Sequence, residues 1–401
     1  MRLDGKVTID RLRDVIQDAH LNLLVGAGTP SAYFGLLKDV ETVLTEIEAS
    51  TVITEEKQLA RASVVAYFFR TVVGPNLELL EGSDGESVVS SYEDLLGMLY
   101  RILLRRRSSL LNKQLNIFTT NVDVTFELAL ERSRLEHNDG FTGKLEPVFD
   151  LANFGSLRFK QSPYYENISE IPTMNLHKLH GSVNWSASDE TSEIGFDRNL
   201  EAVITAAAKL ETATADLIEV KGDDLETKRV LDAVAGKVPS AAVADFLAAY
   251  DKLAIVNPTK QKFETTVLNE TYYEQIRVFS NSLEKQNSVL LVHGFSFRDE
   301  HLKKIVLRAA RSNPTLEVIV FCYDQASETA IRIELPEHDV KNGNITFVTP
   351  PVGEDKKPVY LLDVDELVKR WLAPLVPAPE PRPDRVVDVN IKVDGAEHVK
   401  D

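Results

Sequence analysis

The chain has 401 residues, 43% hydrophobic and 27% charged, which excludes a disordered chain and supplies a core larger than one domain of about 100–200 residues needs. A formal net charge of −17 opposes nonspecific binding to DNA or RNA, which depends on Lys and Arg neutralising phosphates. A single cysteine, Cys322, excludes a disulfide framework and a Cys-x-x-Cys zinc site, and no run of 18 apolar residues marks a membrane span.

Met1 to Lys6 leads into a mixed charged segment without an apolar signal core, so a cytoplasmic location is expected. Leu12, Val15, Ile16 and Ala19 share one face of a helix over about 10–20, which runs into a buried strand at Leu21 to Val25. The strand stops at Gly26-Ala27-Gly28-Thr29-Pro30-Ser31, read as a strand-to-helix turn with Pro30 at a first helical position. No strand pattern intervenes from about 36 to 112, which predicts a helical insertion. Within it, Ser90 or Ser91 with Glu93 and Asp94 opens a periodic stretch through Leu95, Leu96, Leu99, Ile102 and Leu103. Arg101, Arg105, Arg106 and Arg107 fall where that helix ends, a place its dipole favours for cations.

Strand character returns at Leu115 to Phe118, Met174 to Leu179, Leu253 to Val256, Val289 to Val292, Leu316 to Tyr323 and Ile345 to Val348. Short apolar runs alternating with helices predict an α/β fold, a Rossmann-like doubly wound and mostly parallel sheet with helical insertions. Ala-rich, acidic periodicity over about 186–251 predicts the second insertion. The main domain is expected over 1–375. A linker carrying Pro377, Pro379, Pro381 and Pro383 follows, and then a Val-rich strand over 386–393 that needs a partner.

Four polar clusters each follow a predicted strand, where an open α/β sheet places its ligand crevice. Gly26, Ala27 and Gly28 would allow a tight turn and close approach of a pyrophosphate to a helix N-terminus; an ordinary strand-to-helix turn is the plain alternative. No acidic residue ends a second strand about 20 residues later, which disfavours a simple dehydrogenase. Thr119-Thr120-Asn121-Val122-Asp123 offers an amide with donors and an acceptor, and Asp123 serves either to orient a partner or to cap a helix. In His177-Lys178-Leu179-His180-Gly181-Ser182, both histidines are candidates; a spacing of three turns them to opposite faces, so one enters the crevice. His293-Gly294-Phe295-Ser296-Phe297-Arg298-Asp299 would place Gly294 and Ser296 on a phosphate or ribose, while Asp299 also suits a helix N-terminus.

Taken with Ser31 and with Asn138-Asp139-Gly140-Phe141, these motifs resemble, in order and spacing over roughly 18–350, the sirtuin-like (SIR2-like) family. They are most similar to the bacterial NAD-cleaving members of anti-phage defence, and among those to a stand-alone subunit that works with a HerA-like ATPase. The resemblance implies an NAD site with Asn121 and His180 at its active centre and Asp123 as the motif's acidic residue. Gly26, Ala27, Gly28, Ser31, Thr120, Gly294, Ser296 and Asp299 would contribute to binding. It also implies NAD as a substrate rather than a resident cofactor, with activity under the control of a partner or assembly state, while the unpaired edge of the Val-rich strand predicts a homo-oligomer. The turn departs from the family pattern at Thr29-Pro30-Ser31, and the cysteine-bound zinc module of sirtuin deacylases is missing, which weakens protein deacylation. Deacylation or ADP-ribosyl transfer in the same pocket, and a non-catalytic module binding NAD or ADP-ribose, are the alternatives.

Overall fold

The computed structural model describes residues 7–36, 40–106, 110–164, 166–188, 193–222, 225–256, 266–336 and 340–376. The Pro-rich linker and the Val-rich strand expected after it lie outside the described residues. Seven strands build the central sheet: β1 (His20–Val25), β2 (Gln114–Thr119), β3 (His137–Asn138), β4 (Thr173–Lys178), β5 (Ser288–His293), β6 (Glu317–Phe321) and β7 (Ile345–Val348). Their spatial order is β7-β6-β5-β1-β2-β4-β3, and every pairing is parallel. This is an α/β, Rossmann-like fold.

Two-residue periodicity sorts the strands into two cores. Leu21, Leu23, Val25, Leu115, Ile117, Val289, Leu291, Ile319 and Phe321 face the larger one. Helices Ile9–Gln17, Val40–Ala49, Thr54–Phe68, Glu86–Leu104, Glu201–Ala213 and Ala241–Tyr250 cover it. Leu24, Phe118, Leu290, Val292, Val318 and Val320 face the other, under helices Thr266–Glu284, Glu300–Ser312 and Gln325–Glu334. Burying both faces is why the strands read as continuous apolar runs.

A polar row crosses this apolar sheet. Asn22, Asn116 and Asn175 stand in register on adjacent strands. Asn116 Nδ2 donates to Asn22 Oδ1 and Asn175 Nδ2 to Asn116 Oδ1, each at 3.0 Å, and Asn22 Nδ2 continues to Val289 O at 3.2 Å. A slip of one residue would turn the amides into the opposite core, so the row fixes the register that the apolar pattern also demands.

Several elements depart from the sequence reading. Leu253 to Val256 adds no strand to the sheet; Ile255 makes one antiparallel bridge with Gly181, and the segment packs as a clamp on the turn after β4. Trp185–Ser188 and Glu193–Phe196 form an antiparallel pair, so the helices of the second insertion begin only at Glu201. The helix expected from Ser90 or Ser91 starts earlier, at Glu86 behind Gly85. Arg106 is buried and donates to Ile16 O at 3.1 Å, Ala19 O at 2.7 Å and Asn112 O at 2.8 Å, so it serves backbone carbonyls ahead of β1 and β2. Among the described residues, no helix is long and apolar enough to cross a membrane.

Candidate functional site

The turns after β1 and β5 interlock backbone to backbone at the C-terminal edge of the sheet. Gly26 N–H donates to His293 O at 3.1 Å, Gly28 N–H to Gly294 O at 2.9 Å and Thr29 N–H to Gly26 O at 3.0 Å. A Cβ on Gly26 would lie 2.6 Å from Gly294 O, and one on Gly28 2.9 Å from the same oxygen. Gly294 adopts φ +65°, and its Cβ would meet Thr29 N at 2.3 Å. The glycines are therefore required by the neighbouring loop, and the N–H groups of Gly26 and Gly28 are occupied within the protein. These two N–H groups are therefore not free donors for a pyrophosphate.

The helix expected from Pro30 is also replaced. Tyr33 N–H and Phe34 N–H both donate to Pro30 O, which makes a single turn, and the next helix among the described residues begins at Val40. Ala27 belongs to this turn, and Ser31 is exposed with its hydroxyl donating to Gly28 O at 2.9 Å. Behind the turn, Thr29 Oγ1 lies 2.9 Å from Nδ1 of buried His293 and 3.0 Å from its carbonyl oxygen, while His293 Nε2–H donates to Leu362 O at 3.1 Å. Burial lowers the His293 pKa, so this ring is a neutral structural link.

The loop after β2 is tied at successive residues. Thr120 N–H donates to Val25 O at 3.3 Å and Asn121 N–H to Thr119 Oγ1 at 3.0 Å. Val122 O accepts from Val183 N–H at 3.0 Å, Asp123 O accepts from buried Lys178 Nζ, and Asp123 Oδ1 takes Thr125 N–H at 3.0 Å. Asp123 Oδ1 thus takes the first N–H of helix Thr125–Arg132 from the residue ahead of its N-cap, Val124. Asn121 Nδ2 donates to Gly26 O at 3.3 Å, bridging the loops after β2 and β1. Because a carbonyl needs a donor, this contact fixes the amide and leaves Oδ1, buried and without a protein partner, as the free acceptor.

The two histidines differ by their distance from the strand end. His177 lies within β4, stacked between Phe118 and Phe154, with Nδ1 3.1 Å from Gln275 Oε1; burial drives its pKa down to about 3. His180 lies two residues beyond β4, and its Nε2 is 3.1 Å from Asp299 Oδ2. Asp299 Oδ1 meanwhile accepts from His301 N–H at 2.9 Å and Leu302 N–H at 3.1 Å, capping helix Glu300–Ser312. Asp299 thus takes the helix N-terminal role that its sequence position also allowed.

β4 and β5 are separated in the sheet by β2 and β1, so the His180–Asp299 contact means that the loop after β5 passes over two strand ends. Along that loop Phe295 and Phe297 are buried while Ser296 and Arg298 are exposed. Phe297 holds φ +60°, which costs a non-glycine residue about 1–2 kcal/mol, and packing of its ring against Phe295 in the core offsets this. The contacts Gly28–Gly294, Asn121–Gly26 and His180–Asp299 tie together the ends of β1, β2, β4 and β5.

Sequence reading missed two participants. Tyr272, nearly buried, lies with its ring 6.1 Å from that of His180, and Ala254 to Val256 clamp the His180 turn through Ser182 N–H to Ala254 O at 3.2 Å and Val256 N–H to His180 O at 2.8 Å. Their signal in the chain is only an aromatic pair and an apolar run. A groove of about 700 Å³ runs outward from Tyr272 past Arg277, His301, Lys304 and Arg308, and none of the sequence-derived site residues lines it. Among the described residues, no group of three or more His, Cys, Asp or Glu side chains is placed to hold a metal ion. Cys322 is buried, and burial pushes its thiol up to about 12. Compared with known proteins, the chain matches no family model and no curated relative.

Proposed function

We propose that the C-terminal edge of the sheet takes NAD as a substrate and hydrolyses its nicotinamide–ribose bond, giving nicotinamide and ADP-ribose. The reading rests on the sirtuin-like motifs, and the observation that supports it is that Asn121 and the His180–Asp299 pair follow the C-terminal ends of the neighbouring strands β2 and β4. Asn121 Oδ1 is a buried acceptor lacking a donor, which fits a ligand hydroxyl or a held water.

Nicotinamide departs from a pyridinium linkage as a neutral molecule, so no acid is needed for the leaving group. The protein has to shelter an oxocarbenium-like ribose and direct a nucleophile. The Asp299 carboxylate accepts from Nε2–H of His180, which leaves the lone pair on Nδ1 to take the proton of the attacking water or of a ribose hydroxyl. Water then supplies the hydroxyl of ADP-ribose, and the released proton reaches solvent from His180. Asn121 orients the oxygen. By the same resemblance, the activity is an antiviral effector function held off until an assembly state or a HerA-like ATPase triggers it.

Nicotinamide and ADP-ribose would be quantified after incubating the chain with NAD, alone and with such an ATPase. His180→Ala and Asn121→Ala are each expected to fold, bind NAD and lose on the order of 10²–10⁴ in turnover. Turnover at the unmodified rate in both variants would remove the assignment, and acylated ADP-ribose from an acyl-lysine peptide would identify deacylation instead.

A further inference from the structure

The first helical insertion does more than cover the sheet. Helix Thr54–Phe68 widens at its end into a π-turn, Phe69–Val73, closed by Gly74 N–H on Phe69 O at 2.7 Å. Such turns leave carbonyls without their usual helical partner and recur where helices meet functional sites. Two carbonyls of this turn, Val72 O and Val73 O, accept from Asn76 Nδ2 at 2.8 and 2.9 Å. Asn76 is fully buried, and its Oδ1 accepts Val124 N–H at 3.0 Å. Carbonyls on one side and an N–H on the other allow only one orientation of the amide. Val124 immediately precedes helix Thr125–Arg132, where backbone N–H groups lack an intrahelical acceptor.

The same turn holds the β1 loop. Gly35 N–H donates to Thr71 O at 2.9 Å, a Cβ on Gly35 would stand 2.7 Å from Thr71 Cβ, and Tyr33 Oη donates to Pro75 O at 3.2 Å. Both loops that meet at Asn121 Nδ2 and Gly26 O are therefore braced from one short stretch of the insertion.

We infer that Asn76 is a positioning residue for the site: it locks the Asn121–Val124 loop to the π-turn and thereby sets where Asn121 Oδ1 points. This rests on the reading of Asn121 as the residue that orients the nucleophile. A displacement of about 1 Å in such a group costs on the order of 10² in rate.

Asn76→Leu, similar in volume but without polar atoms, is expected to lower turnover at saturating NAD by on the order of 10- to 100-fold, with KM moved less than about threefold. It should also raise hydrogen exchange in residues 122–125 of the full-length protein. Asn344→Leu serves as the control. Asn344 Nδ2 donates to Ala310 O, Asn313 O and Leu316 O at the opposite edge of the sheet, so this variant should lose stability while turnover and exchange in 122–125 stay unchanged.

Should Asn76→Leu not fold, Asn76→Ser keeps a hydroxyl able to donate back to Val72 O four residues earlier but is too short to hold Val124 N–H as well. Exchange should then rise over 122–125 while 72–76 stay largely protected, and turnover should fall in the same direction as in Asn76→Leu. Unchanged exchange in 122–125 of a folded Asn76→Leu or Asn76→Ser, or an equal loss of turnover in Asn344→Leu, overturns the inference. If the parent chain releases no nicotinamide but exchange responds as described, the positioning stands and the NAD reading falls.

Discussion

His177 and His180 have different chemistry because one lies inside β4 and the other two residues past its end. His177 is enclosed by two aromatic rings, and its pKa falls from the ordinary 6.5 to about 3; buried His293 moves in the same direction. Between pH 3 and 6.5 the unfolded chain binds a proton at His177 that the folded chain refuses, so stability rises with pH through this window. The contribution is complete above about 6.5 and is lost as pH falls, at up to about 1.4 kcal/mol per pH unit. From pH 6.5 to 5 His177 alone should cost on the order of 1.5–2 kcal/mol in urea unfolding. His177→Phe should flatten that slope, whatever offset arises from leaving Gln275 unpaired. An identical slope in the variant would show that His177 is not the proton acceptor.

At the scale of elements, glycines separate by what surrounds them. A methyl at Gly26 meets the backbone of Gly294 and Phe295, so Gly26→Ala should destabilise by about 1–3 kcal/mol and disturb the loop that anchors Asn121. Gly97, inside helix Glu86–Leu104, has nothing within 4 Å of the added methyl, so Gly97→Ala should stabilise by about 0.5–1 kcal/mol. Thermal unfolding of the pair tests the opposite signs, and a stabilising Gly26→Ala would refute the interlock. The same contrast explains what the sequence disclosed. Apolar runs announced β1, β2, β4, β5, β6 and β7, because parallel strands buried on both faces need them. The two-residue β3 has too little length to show a period, and Leu253 to Val256 is equally apolar because it packs under the His180 turn. Polar clusters after strand ends pointed to the C-terminal edge of the sheet, where the structure ties their loops together. The partner of His180 stayed hidden, since that contact joins residues 119 apart along a loop crossing two strands. Asp123 and Asp299 both carry helix-cap sequences, and only the path of that loop distinguishes them.

For the whole molecule, the question is whether the insertions are separate units or part of one core. Val43, Leu59, Val65, Leu96 and Leu99 from the first insertion, Val203, Phe246 and Tyr250 from the second, and Leu367 and Leu372 near the end share a single apolar cluster with Leu21, Leu23 and Ile117 of the sheet. Exposing any one of these groups strips its apolar partners from the others, at about 25 cal/mol per Å² uncovered. One cooperative transition is therefore expected, even for a chain of 401 residues, a length at which separable domains are common. The two tryptophans allow a direct test. Trp185 lies in a small cluster with Ile194 and Ala254 beside the site, whereas Trp371 packs edge-on against Phe321 in the large core. Fluorescence of Trp185→Phe follows Trp371 alone, and fluorescence of Trp371→Phe follows Trp185 alone. Urea transitions from the two variants should agree in m-value, and each should match the far-ultraviolet dichroism of its own variant. If Trp185 changes at lower urea while dichroism and Trp371 are unaffected, the small sheet and the His180 turn form a separate, weaker unit. If helical dichroism instead decays in two steps, the insertions unfold independently and the single core is refuted.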